Sequence, residues 1–246
     1  MNNRNIDIPG ILKRNRIFAT LPESQLRELA GKARIEHFTK RTLLDLRGES
    51  PDHVRYIVSG SIELVLSTAE GGYSSLPIFE GHWMGWLGCF GAEAPVHDMW
   101  SSSNAICVAL SCRDVKKIIA NNPDALLAVI EQIGGWTRFL VGLVLSFAAF
   151  GPEKRLAYLL LLASSEACAI TQEGQPTAVT QTHISQFGFG SRQKVSRLLR
   201  GLAEKGLVEM RYGVVVIPSR ARLQAYVADD YLRARLAAAS KAERSA

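Results

Sequence analysis

VTQTHISQFGFGSRQKVSRLLRGLAEKGLVEMRYGVVVIP, residues 179–218, decides how the rest of the chain is read. Thr180 to Gln186 fits a short helix, and the Phe-Gly-Phe-Gly that follows is a tight turn, since glycine adopts backbone angles other residues avoid. Ser191 can cap a second helix running to about Lys205, with Gly206 at its stop. On that helix Val195, Leu198, Leu199 and Leu202 share one face, which needs burial. Arg192, Gln193, Ser196, Arg197 and Arg200 fall on or beside the other face. GLVEMRYGVVVIP (206–218) then reads as two short strands turning near Tyr212-Gly213. Two helices across a glycine turn, the second basic and backed by a strand pair, form the pattern of a winged helix-turn-helix.

The residue types on the outer face suit double-stranded DNA. Arg192, Lys194, Arg197 and Arg200 bring four positive charges without an acid between them. A basic face on an amphipathic helix is often only solvated, but the preceding helix, the turn and the wing favour DNA. Arginine makes paired hydrogen bonds to guanine O6 and N7, and glutamine suits adenine, so Arg192, Gln193 and Arg197 are expected to read bases. Thr180, Gln181, Ser191, Lys194 and Arg200 are expected to position the helix on phosphates, with Ser196 beside them. Charge along the chain agrees. Residues 1–150 carry 15 Lys+Arg and 15 Asp+Glu, whereas residues 151–246 carry 14 and 8, so the whole excess of +6 lies in the second part.

Upstream, Gly151-Pro152 breaks one helical pattern and EKRLAYLLLLASSEA (153–167) begins another. Before the break, Leu126, Val129, Ile133, Trp136, Leu140, Leu143, Phe147 and Phe150 alternate spacings of three and four. Such a heptad seam predicts a long helix that pairs with a copy of itself; the alternative is a core helix packed on its own domain. The uncharged run 139–152 is too short to cross a bilayer, and MNNRNIDIPG (1–10) lacks the apolar core of a signal peptide, so no membrane is expected and the cytoplasm is the expected location.

From Thr39 to Ser111 the chain reads as short strands punctuated by glycine: VRYIVSG (54–60), SIELVLST (61–68) and AICVALS (105–111). They predict a roll or barrel. PESQLRELAGKA (22–33) predicts a helix in front of it, with Ser24 capping the first turn, and CRDVKKIIANNP (112–123) a short helix behind it, stopped by Pro123. HWMGWLGCFGAEAPVHDMW (82–100) holds three of the four tryptophans. Trp83, Trp86, Leu87, Cys89, Val96, His97 and Trp100 are its candidate effector-pocket residues; a filled apolar core and a site for an apolar or aromatic ligand remain equal alternatives. Cys89, Cys107, Cys112 and Cys168 form no Cys-x-x-Cys pair and read as reduced, buried thiols.

These features together resemble the Crp/Fnr family of bacterial transcription regulators along nearly the whole chain. Gly48, Gly60, Gly72, Gly81 and Gly85 match its glycine ladder, PEKRLAYLLL (152–161) the start of its DNA-binding domain, and SRQKVSRLLRGLAEKGLV (191–208) its recognition helix. The resemblance implies a homodimer on a near-palindromic operator, an effector-sensing roll, and RNA polymerase as a further partner. The fold class expected is α+β: an N-terminal β-roll (a jelly-roll-like double-stranded β-helix) over 1–120, a dimerisation helix over 121–150, a winged helix-turn-helix over 151–228 and a tail over 229–246.

Departures from the family carry information. Cyclic-nucleotide-binding members hold the ribose and phosphate with Gly-Glu-Leu and a later Arg-Ser or Arg-Ala pair. Here the first is Gly85-Trp86-Leu87 and the second falls on Val96-His97, so cAMP binding is not expected. Iron–sulfur members ligate through cysteines mainly near the N-terminus, and residues 1–88 contain none, so no cluster is expected. Haem through His82, His97 or Cys89 stays a minor alternative, since a lone histidine is more often structural. No cofactor is predicted. An effector of unknown chemistry, apolar ligands among the candidates, competes with a regulator that needs no ligand. A cupin-like enzyme would need a histidine cluster such as His-x-His, which His37, His53, His82, His97 and His183 do not form, so no enzymatic activity is expected.

Overall fold

The computed structural model describes residues 6–163, 176–211 and 214–228. Cys168, the Tyr212-Gly213 turn and the tail from 229 lie outside the described residues. The chain divides into two compact units, 1–137 and 138–246.

The first unit begins with helices α1 (Ile8–Arg14), α2 (Arg16–Ala19) and α3 (Glu23–Lys32). Asp7 caps α1 by accepting from the Gly10 amide at 2.9 Å, and Asn15 caps α2. Helix α3 starts directly after Pro22 with no side-chain cap, so Ser24 lies inside the first turn instead of capping it. Proline already fixes the entry angle there.

Eight strands follow: β1 (Arg34–Phe38), β2 (Thr42–Asp45), β3 (His53–Ser59), β4 (Ser61–Ser67), β5 (Tyr73–Phe79), β6 (Trp83–Met84), β7 (Asp98–Ser101) and β8 (Ala105–Ser111). They form two four-stranded antiparallel sheets, ordered β1-β8-β3-β6 and β2-β7-β4-β5. Side chains alternate across a strand, so the first sheet feeds two cores. Ile57, Met84 and Cys107 meet Ile62, Ile78 and Met99 of the second sheet. Val54, Val108 and Leu110 face a layer of helices that includes α1 to α3 and α5 (Cys112–Ile119). Covered on both faces, β8 is buried from Ala105 to Leu110, which explains its unbroken apolar text. At Gly85, which joins β6 to α4 (Trp86–Phe90), φ is +93°, and a Cβ would stand 2.7 Å from the His53 carbonyl oxygen, so only glycine fits. In the β4–β5 hairpin the left-handed position is Gly71, not Gly72.

A buried ion cluster went unread in the sequence. Arg55 on β3 is 6% exposed and donates to Glu36 of β1 and Asp45 of β2, both at 2.9 Å. Burial pushes the Asp45 carboxyl upward against the pull of Arg55. The three residues lie 19 and 10 positions apart, so no local pattern announces them.

Pro123 does not merely stop α5; it opens α6 (Pro123–Ala149), where a missing N–H costs nothing. Of the eight seam residues, Val129 and Leu143 are buried, and Ile133 and Trp136 pack against the cores of the first unit. Leu126, Leu140 and Phe147 keep substantial exposure, and Phe150 is half-buried. The barest apolar surface is instead displaced by one position: Leu127, Ile130, Val141, Val144 and Leu145 are 52–68% exposed. The expected a/d register is therefore corrected, because half of it packs within its own chain. By length and composition α6 is also apolar enough to cross a membrane, with 27 residues and a mean hydropathy of 1.3 over its best window. However, Arg138 stands at mid-helix, where a bilayer charges about 2.5–3.5 kcal/mol for it.

The second unit takes the C-terminal part of α6, α7 (Pro152–Ala163), β9 (Pro176–Thr180), α8 (Gln181–Ile184), α9 (Arg192–Glu204), β10 (Glu209–Arg211) and β11 (Val214–Val216), and a helical stretch over 220–228. Residue 151 thus separates two helices but not two packing units. Strand β9, absent from the sequence reading, completes a three-stranded sheet ordered β10-β11-β9. It moves Thr180 from the expected helix to a strand end.

Candidate nucleic-acid interface

Helix α9 is built as its sequence demands. The Ser191 hydroxyl accepts from the Lys194 amide at 3.3 Å and caps the first turn. Val195, Leu199 and Leu202 are at most 1% exposed, and Leu198 is half-buried. Burial of that stripe fixes the rotation of the helix. It leaves Arg192, Gln193, Lys194, Arg197 and Arg200 exposed, with Ser196 half-buried beside them. Gln193, Arg197 and Arg200 lie on the side opposite the buried stripe at helical spacing, while Lys194 leans back toward Gly190, near whose Cα its aliphatic stem runs. Thr180 and Gln181, both half-buried, meet at the β9–α8 junction.

The turn ahead of α9 is held from several sides. Gly188 and Gly190 take φ of +85° and +94°, and the Ser185 hydroxyl donates to the Gly190 carbonyl. Phe189 is buried and its ring lies 6.0 Å from that of Phe147. Arg155 places its guanidinium 4.5 Å over the Phe147 ring and donates to the Phe147 and Phe150 carbonyls at 2.9 and 3.1 Å. It thereby satisfies carbonyls left open at the end of α6. At the other end of α9, Glu153 accepts from Lys205 at 2.6 Å and from the Tyr226 hydroxyl at 2.7 Å. The Lys205 hydrogen bond holds the Glu153 carboxyl below its ordinary range. Burial and that same carboxylate push the Tyr226 hydroxyl up to about 12. Sequence reasoning missed these clamps, although Glu153 and Arg155 stand within the quoted PEKRLAYLLL.

The seven residues expected to share an effector pocket are not brought together. Trp83, Trp86 and Cys89 are buried in the core beneath the helices, where Phe18 of α2 meets both indoles at 5.1 and 5.6 Å. Leu87 and Val96 point to solvent, 63% and 79% exposed. Trp100 is half-buried on β7, in the other sheet, beneath Arg41 at 4.3 Å. His97 is half-buried, and burial lowers its imidazole's proton affinity. His82 bonds the Phe79 and Glu80 carbonyls through Nδ1. The Trp86 indole N–H is buried without a partner among the described residues. Short spacing in sequence does not place residues on the same face of a two-sheet roll, so these seven divide between core, solvent and the other sheet.

The comparisons with known proteins agree with this architecture. Residues 154–226 match the family model of the Crp-like helix-turn-helix domain. The cAMP-activated global transcriptional regulator CRP of Salmonella typhimurium is 25% identical over 187 residues, covering 74% of this chain and 89% of that protein. Residues 154–226 therefore form a Crp-like helix-turn-helix domain, and the chain as a whole is similar to DNA-binding transcription regulators of the Crp/Fnr type. Among solved structures, FixK2 from Bradyrhizobium japonicum aligns with a TM-score of 0.65 at 15% identity, over 79% of this chain and 96% of that one. The c-di-GMP responsive regulator CLP of Xanthomonas campestris aligns with a TM-score of 0.55 at 18% identity, over 80% and 100%. At these identities the structural likenesses speak for the fold. Within this Crp-like domain α9 is the second helix of the helix-turn-helix, and the clamps at Arg155 and Glu153 set its place.

Proposed function

We propose that two copies of this chain bind a near-palindromic operator and place two α9 helices in successive major grooves, roughly 34 Å apart. The observation that carries this reading is the exposed face of α9, where Gln193, Arg197 and Arg200 stand opposite a fully buried apolar stripe. Arg192, Gln193 and Arg197 read base edges; Thr180, Gln181, Ser191, Lys194, Ser196 and Arg200 hold the backbone. Glutamate at position 193 would accept from cytosine, whereas glutamine favours adenine, so the half-site differs at that base pair from one read by glutamate. The two copies pair through the exposed face at Leu127, Ile130, Val141 and Val144. The protein acts in the cytoplasm on transcription by RNA polymerase.

The packing of Trp83, Trp86 and Cys89 into the core favours a regulator whose DNA binding needs no cyclic nucleotide. No positive charge stands at Val96-His97 to balance a phosphate, and Val96 faces solvent. Haem and iron–sulfur chemistry play no part in this reading. The test is selection of sites from a random DNA pool by the bare protein at stated salt, followed by titration with cAMP. Tight, specific binding that cAMP leaves unchanged supports the proposal. Specific binding that appears only with cAMP refutes the effector reading, and an absence of sequence preference under both conditions refutes the DNA reading.

A further inference from the structure

Cys89 and Cys112 lie 23 positions apart yet touch. Cys89 belongs to α4, and Cys112 is the first residue of α5. The Cys89 thiol donates to the Cys112 carbonyl oxygen, its sulfur 3.8 Å away. Both residues belong to the core that holds Trp83 and Trp86 in the first unit, whereas α9 belongs to the second. Nothing in operator recognition uses them.

The two thiols are not equivalent. Cys112 occupies the first position of an eight-residue helix capped by Ser111, where open N–H groups favour an anion, and Lys116 lies one turn further on. The neighbouring Cys89 thiol holds the Cys112 thiol below its ordinary range, and the same contact keeps Cys89 protonated. Cys112 retains 7% exposure against 1% for Cys89, so a small solute meets Cys112 first. Cys107 is the internal contrast: it has no exposure, and burial pushes its thiol up to about 12.

We propose that Cys89 and Cys112 form an oxidisable pair, in which Cys112 reacts with a hydroperoxide and Cys89 then closes onto it as a disulfide joining α4 to α5. The Cys112 thiolate attacks one peroxide oxygen, the O–O bond breaks, and the leaving hydroxide takes up a proton as water. The Cys112 sulfenic acid is then attacked by the Cys89 sulfur; the S–S bond forms, the S–O bond breaks, and the Cys89 proton leaves with the second water. Two thiols are oxidised while one hydrogen peroxide is reduced to two waters. With the Cys89 sulfur already at the Cys112 backbone, the two sulfurs need to close to about 2.05 Å.

The full chain, reduced and then exposed to hydrogen peroxide, is blocked with N-ethylmaleimide, digested and read by mass spectrometry. The expected product links the Cys89 and Cys112 peptides and leaves Cys107 alkylated. In Cys89→Ser, dimedone should trap a sulfenic acid at Cys112. Without oxidant, Cys112 should alkylate on the order of 30-fold faster than Cys107, the gap in thiolate fraction being partly offset by lower nucleophilicity. Cys89 and Cys112 left unlinked, a disulfide through Cys107 or Cys168 instead, or equal labelling of Cys107 and Cys112 overturns the proposal. The linkage is read in the unaltered protein, so a variant that fails to fold does not spare it.

Discussion

At the residue scale the recognition face turns on side chains whose surroundings are polar and open. Arg197 is exposed, on the side of α9 opposite Val195, Leu199 and Leu202. Its removal leaves the packing intact, so Arg197→Ala should keep the thermal midpoint of the protein. It should weaken binding to the selected operator by about 1–3 kcal/mol, roughly 5- to 150-fold, and relax preference at one base pair per half-site. Fluorescence anisotropy on matched and substituted sites checks both effects. Arg55 is the opposite case. Arg55→Met strands Asp45 and Glu36 without their shared partner, and a cost of about 3–5 kcal/mol is expected in urea unfolding. The exposed face of α9 was legible in sequence because helix periodicity alone sorts the inner face from the outer. The partners of Arg55 were not legible, since they come from two other strands.

At the element scale the ends of α9 and the bare face of α6 carry the predictions. Glu153 ties the first turn of α7 to Lys205 and Tyr226, and its folded-state proton affinity is depressed by the Lys205 hydrogen bond. A depressed carboxylate contributes stability that is fully present above the unfolded value, about 4.3, and is lost as pH falls through the folded value. Glu153→Gln should therefore lower stability at neutral pH by about 1 kcal/mol and flatten its fall below about pH 4, as read by chemical unfolding across pH. On α6, the exposed residues Leu127, Ile130, Val141 and Val144 replace the register that periodicity gave. If the proposed dimer forms through this face, Val144→Glu should shift it toward monomer in sedimentation velocity, whereas Leu143→Glu should unfold its own unit first. Periodicity showed that this helix has an apolar seam. Because more than one of its faces is apolar, the text did not tell the face covered by its own chain from the one left bare.

At the scale of the whole molecule, the chain packs as units 1–137 and 138–246. The C-terminal part of α6 therefore belongs with the helix-turn-helix: Leu143 and Ser146 are buried, and Phe147 meets Phe189 and Arg155. A fragment of residues 138–246 should unfold cooperatively, and one of residues 151–246 should melt at lower temperature, because it lacks this packing. Differential scanning calorimetry compares them directly. The break at Gly151-Pro152 was visible in the text because proline and glycine interrupt a helix locally; the packing boundary was invisible because it runs through an unbroken helix.

By itself the sequence determined the helix-turn-helix, the glycine-punctuated strands, the long apolar helix and the basic C-terminal part, each of which rests on local backbone preference, residue spacing or composition. Tertiary structure alone decided that Trp83, Trp86 and Cys89 are core while Trp100 stands in the other sheet. It also decided which face of α6 stays bare, that Arg55 binds two acids, and that Cys89 meets Cys112. The physical reason is the same in each instance. Alternation and helical period fix which side of its own element a residue occupies, but the neighbour on that side comes from a distant part of the chain, and only the packed fold selects it.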